Sequence, residues 1–251
     1  MFPIGDENER GHGPAYVSLA FIAINVAVFF LLQAAGGNEA FTYGYSTVPL
    51  EITTGTDLTE AETITIGGQQ QQIPQEPGPD PIFLTLLTSM FMHGGLLHLA
   101  GNMLFLWIFG DNVEHRIGHA WYLIFYVAAG LVAAFAQIMI DTDSVIPVLG
   151  ASGAISGVLG AYLVLFPSNQ VTVFVLRFVT RVPAIVAIGM WAAFQFINGI
   201  GAFAVSEETA GGVAYMAHIG GFVAGVVAGF VFRLIFHEPR RPRGAAASAW
   251  G

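Results

Sequence analysis

The chain contains little charge and no cysteine. Charged residues make up 10% of its 251 positions and hydrophobic residues 55%, whereas a soluble domain carries about 25% charged residues. Together with a mean hydropathy of +0.67, this composition indicates an integral membrane protein. The absence of cysteine excludes a disulfide framework, a cysteine-based zinc site and thiol redox chemistry.

Lysine is absent too, and arginine supplies all eight permanent side-chain cations. Catalysis by a serine–lysine pair and Schiff-base chemistry are therefore excluded. The formal net charge of −9 argues against nucleic acid as a partner, since such binding needs a basic face. The lipid bilayer is the partner that the composition predicts.

Six apolar segments predict an all-α, polytopic membrane domain at 15–236, because a spanning helix needs about 20 apolar residues. The segments lie at 16–35, 97–110, 120–140, 152–166, 183–203 and 213–236. The leader at 1–14 is acidic, unlike the basic start of a signal peptide, so the first helix is expected to be retained. The polar tail at 237–251 is predicted to be disordered.

The arginines predict the orientation of these segments. They are Arg10, Arg116, Arg177, Arg181, Arg233, Arg240, Arg241 and Arg243. With six spans, all of these positions fall on one side of the membrane, which the positive-inside rule makes cytoplasmic. Both the leader and the tail are therefore expected in the cytoplasm, and the pattern fits a prokaryotic plasma membrane.

The first external connection, at 36–80, is long and rich in Gln, Pro and Gly. It lacks hydrophobic periodicity, which predicts a flexible, solvated insertion rather than an element that controls substrate access. The apolar segment 81–92 that follows is short and is predicted to be an interfacial helix. In the last external loop, Gly211 and Gly212 are expected to let that loop move as a cap.

Of the polar residues within the apolar segments, four matter most here: His98, Asn102, Ser152 and His218. Such residues are costly in lipid and mark functional sites by default. Ser152 and His218 each lie about 22 Å of helix from the cytoplasmic end of their segment, and His98 lies about 20 Å from it. These three residues therefore share one level, and Asn102 is one turn deeper on the same helix face as His98.

The segment that begins at Ser152 is too short to cross the bilayer alone. Its N-terminus must end inside the membrane, where free N–H groups are tolerated only in a protein-lined or wet cavity. A serine there suits nucleophilic chemistry, because the helix dipole favours a developing negative charge. The alternative is that Ser152 is merely a small residue that allows close helix packing.

The glycines of two segments favour a nucleophilic role for Ser152. Gly153 and Gly157 in the fourth segment, and Gly221 and Gly225 in the sixth, have spacings that allow two helices to pack closely. His218 projects from the same face as the latter pair, so such packing brings it to Ser152. With no acid inside these spans, the sequence predicts a Ser–His dyad, with oxyanion donors from His98, Asn102 and the backbone.

Four motifs resemble those of the rhomboid family of intramembrane serine proteases. They are HGGLLHLAGN (93–102), FGDNVEHRIG (109–118), GASG (150–153) and AHIGG (217–221). The resemblance implies a six-helix bundle, no metal or cofactor, and hydrolysis of a peptide bond in or near the transmembrane helix of a protein substrate.

The resemblance also assigns roles to individual residues. It implies that Ser152 is the nucleophile and His218 the general base, with His98 and Asn102 stabilising the oxyanion. It further implies that His93 lies near the cavity mouth and that the backbone of Gly150 lines the site. At one position the chain departs from the family, because Ser156 stands where many members have an aromatic residue beneath the catalytic histidine.

Other functions explain fewer of these residues. A haem or metal site would use the histidines but would leave Ser152 and Asn102 without a role, and the chain has no H-E-x-x-H metalloprotease motif. The remaining alternative is a rhomboid-like protein that binds membrane helices without cleaving them, or a transporter. Inactive relatives commonly lack the serine or histidine, and a transporter would often show internal repeats.

Overall fold

The computed structural model describes residues 2–7, 13–66, 68–204 and 214–236. Within these ranges the chain is mostly helical. The helices are α1 (Tyr16–Ala27, continued by a π-helical segment, Val28–Leu32), α2 (Glu39–Gly44), α3 (Pro49–Thr54), α4 (Thr85–Thr88), α5 (Leu96–Ile117), α6 (His119–Ile138), α7 (Ser152–Leu165), α8 (Ala184–Ala204) and α9 (Tyr215–Ile235).

The expected all-α class is confirmed only in part, because the mostly helical chain also forms two sheets. Three antiparallel strands pair in the order β1 (Phe2–Asp6), β4 (Gln170–Val175) and β5 (Phe178–Pro183), and β2 (Glu62–Ile66) pairs with β3 (Gln69–Ile73) in a hairpin. Strands β4 and β5 are rich in Val, Thr and Phe, which favour extended backbone. The predicted leader is therefore partly built into the fold, since Phe2 pairs with Phe174 and Asp6 with Val171.

Within the described part of the chain, three helices, α5, α6 and α9, are long and apolar enough to cross a membrane by length and composition. The shorter apolar helical segments are Tyr16–Leu32, Ile82–Phe91, Ser152–Leu165 and Ala184–Gly199. Helix α5 continues past the predicted boundary at residue 110 and ends at Ile117. The polar residues after Gly110 are part of this helix, and one of them, Glu114, is fully buried. Its carboxylate accepts hydrogen bonds from the backbone N–H groups of Val17 and Ser18, at 2.8 Å each, in the first turn of α1.

Helix α7 lies at the centre of the bundle and is buried along nearly its whole length. Its most extensive contacts are with α9, and it also packs against α5 and α6. A methyl group added at Gly221 or Gly225 of α9 would collide with the backbone of Gly153 or Gly157 of α7. The predicted close packing through glycine faces is therefore confirmed.

The connection at 36–80 differs from the predicted flexible insertion. It folds into α2, α3 and the β2–β3 hairpin, and it bonds to the segment that precedes α7. Thr47 and Val148 exchange two backbone hydrogen bonds, of 3.0 and 2.8 Å, and the side-chain amide of Gln75 donates to the carbonyl of Val145 at 2.6 Å. These long-range contacts cannot be read from local periodicity, which is why the sequence predicted a flexible insertion at 36–80.

The predicted interfacial helix at 81–92 is a broken helix, in which the 3-10 turns Ile82–Leu84 and Ser89–Phe91 flank α4. Two predictions concern residues outside the described ranges. These are the disorder of the tail at 237–251 and the mobility of the loop that contains Gly211 and Gly212.

Candidate active site

Ser152 is the first residue of α7, and its side chain faces a cavity. The backbone before it turns sharply at Gly150, whose φ of +132° strongly favours glycine. Because α7 begins here, the N–H groups of its first turn have no partner within the helix. The hydroxyl thus lies beside backbone donors and the positive end of the helix dipole.

His218 of α9 reaches this hydroxyl. Its Nε2 lies 2.7 Å from Ser152 Oγ, within the range of a hydrogen bond between a nucleophile and its base. The glycine contacts between α7 and α9 make this approach possible, since His218 lies three residues before Gly221, on the same side of α9. The structure thus joins the two residues that the sequence analysis pairs, while their catalytic roles stay a prediction.

The other ring nitrogen of His218 has a partner that the sequence analysis did not connect with the site. Nδ1 lies 2.9 Å from Oε1 of Gln195, a residue of α8 that is 8% exposed. One turn earlier on α8, the Trp191 ring lies 6.3 Å from the His218 ring, centroid to centroid. The i, i+4 spacing of Trp191 and Gln195 was the available signal, but their shared partner lies on another helix.

Ser156 does not take the place of the family's aromatic residue. It is fully buried, and its hydroxyl donates to the carbonyl of Ser152 in its own helix at 2.6 Å. The His218 side chain contacts Ser152 on α7 and both Gln195 and Trp191 on α8. The ring is therefore supported largely from α8.

His98 lies on the other side of Gly150. A methyl group added at Gly150 would lie 3.1 Å from His98 Nε2 and 3.6 Å from Ser152 Oγ, so the imidazole and the hydroxyl flank this glycine. The backbone N–H of Gly94 donates to His98 Nδ1 at 3.4 Å. This contact leaves the proton on Nε2, which can then donate to an oxyanion formed at Ser152.

Asn102 is 8% exposed on α5, one turn after His98. Its Nδ2 has no hydrogen-bond partner in the part of the chain that the structure describes. Leaving a buried amide donor unpaired is costly. A donor of this kind, on the same helix face as His98, is suited to bind an oxygen that becomes charged during a reaction.

His93, which the resemblance places near the cavity mouth, is buried. It is 1% exposed, and its ring packs edge-on against that of His98, with centroids 5.1 Å apart. Gln33, at the end of the first helical segment, bonds both to the N–H and to the carbonyl of His93, at 2.9 and 3.0 Å. Hydrogen bonds between the Gln33 side chain and the His93 backbone thus hold the His93 ring against the ring of His98.

The cavity next to Ser152 has a volume of about 370 Å³. His98, Ser152 and His218 line it together with Gln137 and residues of the 144–149 segment. The N–H of Gly150 donates to the carbonyl of Ser89 at 2.9 Å, which holds the end of that segment. Among the described residues, no group of three or more His, Cys, Asp or Glu side chains is arranged to hold a metal ion.

Comparison with known proteins places the chain among relatives. The Rhomboid domain family model matches residues 82–235. The chain is 32% identical to Rhomboid protease GluP of Bacillus subtilis over 217 residues, which cover 86% of this chain and 35% of that protein. It is also 32% identical to Rhomboid protein 1, mitochondrial, of Saccharomyces cerevisiae over 171 residues, 66% of this chain and 47% of that protein.

A human relative, Presenilin-associated rhomboid-like protein, mitochondrial, is 28% identical over 151 residues, covering 56% of this chain and 36% of that protein. The chain thus spans less than half the length of each of these three proteins.

The fold and the site define a helical membrane protein in which a half-buried serine–histidine pair lies at the start of a short central helix. The chain belongs to the rhomboid family, since the family model covers more than half of it, including the two histidine motifs and the serine.

Proposed function

We propose that this chain is an intramembrane serine endopeptidase that cleaves transmembrane protein substrates with a Ser152–His218 dyad. The observation that carries the proposal is the 2.7 Å hydrogen bond between Ser152 Oγ and His218 Nε2 at the start of a buried helix. The chain belongs to the rhomboid family, and one similar member is named a rhomboid protease, which supports protease activity.

The proposed reaction follows the order of a serine hydrolase. His218 Nε2 removes the Ser152 proton as the hydroxyl oxygen attacks a peptide carbonyl. His98, Asn102 and backbone N–H groups donate to the oxyanion of the tetrahedral intermediate. The imidazolium then gives its proton to the leaving amine, and an acyl-enzyme remains. Water hydrolyses the acyl-enzyme, with His218 acting again as base and then returning the proton to Ser152.

Substrate and water are proposed to reach the site by different routes. Water enters through the 370 Å³ cavity that Ser152 and His218 line. The substrate helix approaches laterally near α8, where a second, apolar cavity of about 300 Å³ lies between α8 and α5 and is lined by Trp191 and Phe105. The substrate must unwind locally, because helical hydrogen bonds shield its carbonyls. We therefore expect small or helix-destabilising residues near the cut.

In the proposed membrane arrangement, six helical segments lie in the bilayer and both termini are cytoplasmic, as in a prokaryotic plasma membrane. The short α7 reaches the cytoplasmic side but not the outer surface. The pairing of β1 with β4 supports one common side for the N-terminus and the α7–α8 connection. That connection contains Arg177 and Arg181, in agreement with the positive-inside rule.

The alternative, a rhomboid-like protein that binds helices without cleaving them or a transporter, has no specific observation in its favour. The serine and histidine are both present and bonded to each other.

The deciding assay uses the purified chain in detergent with a generic transmembrane substrate. Cleavage is expected for the wild type and is expected to vanish in Ser152→Ala and in His218→Ala, with thermal unfolding unchanged. A fluorophosphonate probe should label Ser152. Full cleavage by Ser152→Ala, or labelling of a different serine, would contradict the proposal.

A further inference from the structure

We infer that Gln195 is a positioning residue that sets the tautomer and the orientation of His218, with Trp191 supporting the same ring. This inference rests on the proposed function, because it concerns the base of that reaction. It assigns to α8 a task that the familiar family pattern gives to an aromatic residue on α7.

The hydrogen bonds of the His218 ring define its tautomer. Gln195 Oε1 accepts from Nδ1–H at 2.9 Å, so that this nitrogen carries the proton. Nε2 is then unprotonated and can accept the proton of Ser152 Oγ, 2.7 Å away. The opposite tautomer would have Nε2 donating to the hydroxyl, and the ring would be unable to act as base.

The second constraint on the ring is packing. The Trp191 ring lies 6.3 Å from the His218 ring with an interplanar angle of 40°, and it also contacts Phe222, 5.9 Å away on α9. Trp191 and Gln195 are one helical turn apart and project from the same face of α8. One helix face thus supplies both a polar and an apolar contact to the histidine.

Ser156 explains why this support is needed. Its hydroxyl is bonded to the backbone of its own helix, and it has no ring to place beneath His218. A dyad without any third partner would leave Nδ1–H buried and unpaired, which is unfavourable. The amide of Gln195 satisfies this group.

Gln195 does not exchange protons in the reaction. One proton moves from Ser152 Oγ to His218 Nε2 and then to the leaving amine, while Nδ1 keeps its own proton throughout. The Gln195 carbonyl accepts a hydrogen bond from the neutral ring and from the imidazolium. It therefore acts through His218 and does not touch the substrate.

Two variants test this role in the full chain in detergent, with the same transmembrane substrate. In Gln195→Ala, kcat is expected to fall about tenfold, the size expected for one neutral hydrogen bond, with little change in KM. In Gln195→Glu, a carboxylate next to Nδ1–H stabilises the imidazolium. The acidic limb of the pH–rate profile should then move up by about one pH unit, with activity retained at high pH.

The matched control is Asn198→Ala. Asn198 lies on the same helix, but its side chain donates to the carbonyl of Phe194 at 2.7 Å, within α8. Its kcat and pH profile are expected to match those of the wild type. A merely structural role for Gln195 would lower thermal stability in Gln195→Ala without moving the pH profile of Gln195→Glu.

The inference is overturned if Gln195→Ala keeps wild-type kcat, or if Gln195→Glu keeps the wild-type pH profile. Should Gln195→Ala fail to fold, the nearly isosteric Gln195→Glu still decides the matter. The proposed function fails separately, when Ser152→Ala still cleaves. Active wild type, inactive Ser152→Ala and unaltered Gln195 variants would leave the protease assignment standing and remove Gln195 from its role.

Discussion

Residues of the same type form different contacts in this protein, as two serines of α7 and two asparagines of α5 and α1 show. Ser152 faces the cavity and bonds to His218, whereas Ser156, one turn later, bonds only to its own helix. Asn102 and Asn25 differ in the same way. The Asn102 amide nitrogen has no partner within the described ranges, and that of Asn25 donates to the carbonyl of Phe21 at 2.7 Å.

This difference predicts opposite effects for two alanine variants. Asn102→Ala is expected to lower kcat by about 100-fold, because one oxyanion donor is lost while the others remain. Its unfolding temperature should not fall, since no hydrogen bond of the resting protein is removed. Steady-state cleavage and thermal unfolding in detergent measure the two effects.

Asn25→Ala is the control for Asn102→Ala. It is expected to retain kcat. An unchanged kcat in Asn102→Ala would exclude Asn102 from the oxyanion role.

Among the helices, the pair α7 and α9 decides the geometry of the site. Their glycines bring the two backbones into contact, which no pair of larger residues would allow. Interfaces of this kind tolerate added volume poorly, because a methyl group that meets backbone atoms cannot be accommodated by a side-chain rotation.

Gly225→Ala is therefore expected to destabilise the protein by about 1–3 kcal/mol and to reduce cleavage, because α9 must move away from α7 and take His218 with it. Gly189→Ala on α8 serves as control, since a methyl group there would meet no atom within 4 Å. Thermal unfolding and cleavage are measured for both variants. If the two variants have the same unfolding temperature and cleavage rate, the close contact at Gly225 does not contribute to stability or activity.

The connection between α1 and α5, residues 36–80, is the second element that bears on the site. It holds the segment before Gly150 through Thr47, Leu50 and Gln75. This segment lines the cavity and leads directly to Ser152. The connection therefore contributes to the shape of the site, although it contains none of the proposed catalytic residues.

Gln75→Ala tests this contribution. Loss of its hydrogen bond to the Val145 carbonyl is expected to cost about 1 kcal/mol, which would loosen the segment and lower kcat/KM by about fivefold. Gln72→Ala, on an exposed position of the β2–β3 hairpin, should have no effect. If Gln75→Ala cleaves as fast as the control variant, the contact does not shape the site.

At the scale of the whole molecule, the N-terminal strand β1 contacts β4, α5 and α7 and so links them. Asp6, in β1, accepts hydrogen bonds from the Tyr162 hydroxyl of α7 at 2.5 Å and from the Asn112 amide of α5 at 2.7 Å. Burial raises the pKa of this carboxyl to about 6, and Asp111 nearby adds to the shift. The charged carboxylate is thus less stable in the folded protein than in the unfolded chain.

This raised pKa predicts a pH dependence of stability. Since the folded state binds the proton of Asp6 more tightly than the unfolded chain, whose carboxyl has a pKa of about 3.8, stability should fall as pH rises from about 4 to about 6. Asp6→Asn has no carboxyl to ionise and does not lose this stability. As pH rises from about 4 to about 6, its unfolding temperature should therefore increase relative to that of the wild type. Thermal unfolding in detergent across pH 4–7 measures the difference.

Tyr162→Phe is the companion variant for Asp6→Asn. The Tyr162 hydroxyl stabilises the charged carboxylate of Asp6 and lowers its pKa. Without this hydroxyl, the fall in stability should extend to higher pH. Burial also raises the pKa of Glu51 to about 7, so the comparison is always made with the wild type at the same pH. A constant difference between Asp6→Asn and wild type at every pH would contradict the assignment.

The sequence by itself was sufficient for the membrane class, the start of α7 at Ser152 and the close packing of α7 with α9. Each depends on local composition, or on spacings along one helix that recur every three or four residues. Composition and spacing also identified Ser152, His218, His98 and Asn102 as site candidates, because polar residues are rare within membrane-spanning segments.

Only the tertiary structure decided which distant groups complete that arrangement. The link from Gln195 to His218, the hold of residues 36–80 on the segment before Ser152, the burial of His93 and the sheet between the N-terminus and β4 all join residues far apart in the chain. Hydrogen bonds of this kind depend on side chains and backbones that meet only after the helices pack. Periodicity along the chain carries no information about them.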